Sequence, residues 1–158
     1  MTVRTAKTIA ASAALLGTLV LQLSVVSRLH LPLGSPDALL VVLACVALVE
    51  GPLYGMVLGF GAGLAADLLS DHALGRLALV LCLVGYAVGL LREDAGRSVV
   101  VPFLTVGVAS AVSFLLFLAT GALLGDPRVS GVPLAGRTAA VVLYDLVLTP
   151  FVFPLVAG

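Results

Sequence analysis

A chain of 158 residues in which 61% are hydrophobic and only 10% are charged cannot cover itself with a water-facing surface, since soluble domains carry about 25% charged residues. Eight basic and eight acidic residues cancel and mean hydropathy is +1.27. The basic residues are scattered, so the chain lacks the patch that a nucleic-acid backbone requires. A crossing of about 30 Å of hydrocarbon needs roughly 20 apolar residues, which leaves room for about five or six crossings and no extramembrane catalytic domain.

The first apolar run, about 8–27, follows Arg4 and Lys7. It is longer than the roughly 7–15 residues of a signal core, and its small residues fall too early for a cleavage site, so it reads as a retained membrane helix. Ala6, Ala10 and Ala14 recur along it at four-residue spacing, a small-residue face able to dock another helix. A polar loop with Arg28, His30 and Pro32 follows. Ser35-Pro36-Asp37 then reads as N-cap, first helical position and first-turn acid of a second helix, about 37–50. That helix would rise only about 21 Å, too little for a comfortable span.

Gly51-Pro52 forces a tight turn into a third helix, about 53–70, so the two should form an antiparallel hairpin. Gly55, Gly59 and Gly63, followed by Asp67 and Asp71, lie on one stripe of the third helix. Glycines so spaced let another backbone approach closely. The groove suits packing against the second or fourth helix of the same chain, or capture of a single helix from a partner. Asp67 lies about one turn inside the helix end, and an acid at that depth needs a partner. Arg76, across the Asp71-His72 turn, is the nearest candidate for an ion pair.

A fourth helix, about 74–91, repeats the glycine device at Gly85 and Gly89 and leads to the polar loop Arg92-Glu93-Asp94-Ala95-Gly96-Arg97. The fifth, about 99–124, carries Thr105, Ser110, Ser113 and Thr120; the sixth, about 137–155, carries Tyr144 and Asp145 about two turns in, followed by Pro150 and Pro154. Asp145 is an acid facing the bundle interior or a cavity. Cys45 and Cys82 lie far apart in apolar runs and read as small core residues rather than a metal or redox site.

The sequence holds no GxxxxGK[ST] loop, nucleophile elbow or HExxH helix. The expectation is a single polytopic domain of about six transmembrane helices over residues 1–158, with no catalytic residues, no cofactor and no metal. Basic residues tie between the two sides. The first helix usually dominates orientation, which places both termini in the cytoplasm.

Pro36-Asp37-Ala38-Leu39-Leu40, the stretch from Glu50-Gly51-Pro52 through Gly55, the glycine helix ending Asp67-Leu68-Leu69-Ser70, and Val84-Gly85-Tyr86 together resemble the MreD family of bacterial rod shape-determining membrane proteins. Glu50 departs from the basic or apolar residue more usual before Gly-Pro in that family. The resemblance covers about residues 36–92. It implies a non-enzymatic component of the cell-elongation machinery in the plasma membrane, acting with MreC, MreB, RodA and a class B penicillin-binding protein in peptidoglycan synthesis and control of cell shape. The family also looks like the six-helix substrate-binding subunits of energy-coupling-factor transporters.

The leading reading is therefore a scaffold that holds a single-pass partner's helix, MreC by the resemblance, through the Gly55/Gly59/Gly63 stripe or the Ala6/Ala10/Ala14 face. Its rival is a small-molecule-binding subunit or transporter with Asp67, Asp145 and the hydroxyls of the fifth helix around a pocket.

Overall fold

The computed structural model describes residues 37–69, 74–95, 98, 100–125 and 134–157, together with Ala13, Leu15, Gly17, Thr18 and Val20, which are helical. Among these residues the fold is all-helical. The elements are α1 (Ala38–Glu50), α2 (Pro52–Leu68), α3 (Arg76–Leu90), the short α4 (Arg92–Ala95), α5 (Val100–Leu123) and α6 (Leu134–Ala157).

Helix α1 is apolar on every side, with no polar residue between Asp37 and Glu50, and such a helix must be surrounded. Every residue from Ala38 to Leu48 is buried, and α2, α3, α5 and α6 all pack on it. The cap is Asp37, whose carboxylate accepts the N–H of Leu40 at 3.2 Å. The sequence pattern gave that role to Ser35, which lies outside the described residues. Asp37 takes it because its side chain reaches the third amide of the helix that begins at Ala38.

Gly51 closes α1 and opens α2. Its φ of 102° lies in the left-handed region that glycine adopts without a Cβ penalty. Its N–H donates to Ala47 O at 2.8 Å and its carbonyl accepts from Gly55 N at 3.0 Å. Pro52 then opens α2 with no amide left to satisfy. Where the sequence suggested only a polar loop, Arg92–Ala95 winds one helical turn, α4, against the end of α3.

Polarity is inverted from that of a soluble protein. On α2 the buried positions include Gly55, Gly59, Ala62, Gly63 and Ala66, while Leu53, Val57, Phe60, Leu64 and Leu68 are exposed. On α5 the hydroxyls of Thr105, Ser110 and Ser113 are buried, and Leu104, Val108, Val112 and Leu115 face outward. Water would drive this pattern the other way; lipid, in which apolar side chains gain nothing by leaving the surface, permits it. Helix α5 and the Gly136–Pro154 stretch of α6 are long and apolar enough to cross a membrane; α1, α2 and α3 are apolar and shorter.

Candidate functional site: a glycine zipper and carboxylate-capped helix starts

The glycines of α2 and α3 meet face to face. Gly55 packs on the backbone of Gly85, Gly59 on that of Leu81, Gly63 on that of Ala78, and Gly89 on Pro52. As the number rises along α2 it falls by a matching amount along α3, which defines one unbroken antiparallel register. A methyl group added at Gly63 would lie 2.5 Å from Ala78 Cα, and one at Gly59 would lie 2.8 Å from the Leu81 carbonyl carbon, closer than any real Cβ packs.

The same stripe is also filled from its other side. The added methyl at Gly55 would meet Ala47 Cβ at 2.7 Å, and the one at Gly59 would meet Leu43 Cδ2 at 3.1 Å. Helix α2 is thus wedged between α1 and α3. The groove that the sequence offered to a partner's helix is occupied by the chain's own, because α1 and α3 are its immediate neighbours along the chain and carry small residues, Ala47, Ala78 and Gly85, at the matching heights. The Ala6/Ala10/Ala14 face lies outside the described residues.

The buried acids serve helix starts. A helix beginning inside lipid has amides that water cannot reach, so each needs an internal acceptor. Asp67, 1% exposed near the end of α2, accepts from Leu77 N at 3.0 Å and Ala78 N at 3.1 Å, capping α3 from outside that helix. Gly75, the residue before α3, has φ 90° and no side chain with which to cap. The carboxylate four residues after Gly63 supplies the acceptor instead, and it interacts favourably with the positive end of the α3 dipole.

Asp145, fully buried at the middle of α6, does the same for α1. One carboxylate oxygen accepts the N–H of Asp37 at 2.8 Å and the other accepts Ser110 Oγ at 2.6 Å, so a single side chain ties α1, α5 and α6 together. Thr149, one turn on and also fully buried, donates its hydroxyl to Asp145 O at 2.8 Å, and Gly107 of α5 admits Leu146 at the same level. Tyr144 is half-buried beside this cluster.

Arg76 is 5% exposed, and its guanidinium turns toward α5. Its Nε donates to Phe117 O and to Thr120 Oγ1, each at 3.2 Å, and a terminal nitrogen also reaches Phe117 O. The guanidinium carbon stands 3.8 Å from the centroid of the Phe117 ring. This fork and cation–π contact joins α3 to α5, while the Asp67 carboxylate joins α2 to α3. The sequence offered Arg76 as an ion-pair partner for Asp67; the bonds described here instead run from the Leu77 and Ala78 amides to Asp67 and from Arg76 to Phe117 O and Thr120 Oγ1, and nothing in an apolar run marks which carbonyl an arginine will find.

Asp67 and Asp145 therefore cap different helices, with the fifth-helix hydroxyl Ser110 bonded to one of them. Cys45 is buried in α1 and Cys82 half-buried on α3. Among the described residues no group of His, Cys, Asp and Glu could hold a metal ion.

Apolar outer faces, small residues and hydroxyls inside, and carboxylates that cap internal helix starts point to a helical membrane protein. A family model described as rod shape-determining protein MreD matches residues 5–129. The chain belongs to the MreD family, whose role is in determining rod shape. No curated protein and no solved structure matches it.

Proposed function

We propose that this chain is a multi-pass scaffold of the bacterial plasma membrane that helps control cell shape and peptidoglycan synthesis by holding MreC, and through it MreB, RodA and a class B penicillin-binding protein. The observation that carries the reading is membership of the family over residues 5–129. The architecture supports it. Polar side chains at mid-helix are engaged in fixing helices to one another, as in a framework, and the chain carries no motif for catalysis.

Six crossings, the first helix included, put both termini in the cytoplasm and the Gly51-Pro52 turn and α4 on the cytoplasmic side. Because α1 and α3 fill the Gly55/Gly59/Gly63 groove, the face proposed for the MreC helix is Ala6/Ala10/Ala14, whose small-residue spacing suits close helix approach.

Gentle extraction of the tagged chain from its native membrane, followed by identification of what co-purifies, tests this. MreC is expected with the native chain and lost with Ala10→Leu. An ATPase pair with a coupling membrane subunit, in place of MreC, would replace the scaffold reading with that of an energy-coupling-factor-type binding subunit.

A further inference from the structure

Two carbonyls of α6 lack the donors that a helix normally supplies. Proline carries no amide hydrogen, so Pro150 leaves the carbonyl of Leu146, and Pro154 that of Pro150, without the bond from four residues on. Both lie within Gly136–Pro154, the stretch of α6 long and apolar enough to cross a membrane. By the rise of the helix they stand about 16 Å and about 10 Å in from its Ala157 end, and lipid tails at such depths offer no donor.

The chain's own side chains do not make good the loss. Thr149 is the one hydroxyl of α6 beyond Asp145. It is fully buried, and its single proton goes to Asp145 O at 2.8 Å. Among the described residues no other side chain donates to either carbonyl.

The proline rings that stand over these carbonyls face outward. Pro150 and Pro154 are exposed, and Leu143, Val147 and Phe151 extend the same exposed stripe at three- and four-residue spacing. The outer face of α6 is therefore an apolar surface holding two acceptors and no donor, since every exposed residue from Leu143 to Pro154 is Leu, Val, Pro or Phe. A second copy pairing through this face would set acceptor against acceptor. A helix with a hydroxyl or carboxamide side chain supplies what the face lacks, and such bonds between helices add to close packing in lipid.

We propose that the outer face of α6 is a docking site for the membrane helix of another protein, one that presents a serine, threonine, asparagine or glutamine at the level of Leu146–Pro150. It adds to the Ala6/Ala10/Ala14 face proposed above, on a different helix, so that the scaffold holds two partner helices.

The inference rests on the membrane reading above, and one experiment separates the two. The full chain, with Cys45→Ala and Cys82→Ala and a donor fluorophore on the exposed Arg137→Cys, is reconstituted into phosphatidylcholine vesicles. An acceptor-labelled synthetic peptide of about 20 Leu and Ala residues between flanking lysines, with Asn or Leu at its centre, is added. Flotation reports insertion and energy transfer reports association. The Asn peptide is expected to reach half-maximal transfer at a peptide-to-lipid ratio about threefold or more below that of the Leu peptide. Pro150→Ala with Pro154→Ala returns both amides and should abolish that difference without lowering the Tm of the inserted chain. Val147→Trp on the face should weaken capture, and Leu104→Trp, exposed on α5, should not. Equal capture of the two peptides by the native chain, or a preference that survives the double alanine variant, overturns the docking site alone. Transfer between copies of the chain, lost when the amides are returned, would replace the partner helix with a second copy. Failure to float with the vesicles overturns the membrane reading and this inference with it.

Discussion

Gly59→Ala is a one-carbon perturbation whose sign the structure decides. Alanine is the better helix former by about 0.5–1 kcal/mol, so on propensity alone the variant should be more stable. The added methyl, however, would stand 2.8 Å from the Leu81 carbonyl carbon on α3 and 3.1 Å from Leu43 Cδ2 on α1. Backbone on one side and a core leucine on the other leave it no free volume, so α2 must move away from α3. Overpacking of this kind costs about 1–3 kcal/mol. The net loss is about 1–2 kcal/mol, or roughly 3–6 °C in Tm for a chain of this size.

Gly61, two residues away on the same helix, is the internal control. Nothing lies within 4 Å of a methyl placed there, so Gly61→Ala keeps the propensity gain and should leave Tm unchanged or raise it. Thermal unfolding of both variants in the same bicelles, followed by the protection of a thiol at Cys45, reads the difference. Equal shifts for the two glycines, or a stabilised Gly59→Ala, would refute the wedge geometry.

Asp145→Leu leaves Asp37 N–H and Ser110 Oγ–H without their acceptor and should cost about 2–3 kcal/mol, whereas Asp145→Asn keeps an acceptor for one of them and should cost less; a double-mutant cycle with Ser110→Ala should show coupling of about 1 kcal/mol, and additivity would contradict the bond. Asp67→Ala uncaps α3 at a cost of about 1–2 kcal/mol, and hydrogen exchange should rise first at the amides of Leu77 and Ala78; exchange unchanged at those two amides would count against the cap. Arg76→Lys keeps the charge and loses both the fork and the planar stacking on Phe117, so it should destabilise by about 1 kcal/mol, and by less in a Phe117→Leu background.

Much of this architecture can be read from one sequence because lipid leaves few alternatives: an apolar run must be a helix, and Gly51-Pro52 can only be a turn. The four-residue glycine spacing on α2 likewise announces close packing. What periodicity cannot give is the neighbour. The matching heights of Gly85, Leu81 and Ala78 emerge only once the hairpin closes, and a stripe that will be buried by its own chain looks the same as one left open for another. The acids are legible as buried groups in need of partners, but apart from the Ser110 hydroxyl on Asp145 the partners described here are backbone amides, which every residue but proline carries and no sequence pattern marks. Arg76 illustrates the same limit. Its depth is set by the helix start, while its choice of the Phe117 carbonyl and ring follows from how α3 lies against α5.

The most direct test of the scaffold account is made in the cell. The chain is depleted from its native host while new wall is labelled with a fluorescent D-amino acid and cell outlines are followed. The account predicts that sites of new wall synthesis lose their normal placement and that cells lose their shape, with rescue by the native chain and none by Ala10→Leu expressed at an equal level. Cells that keep their shape and wall pattern after full depletion would contradict it.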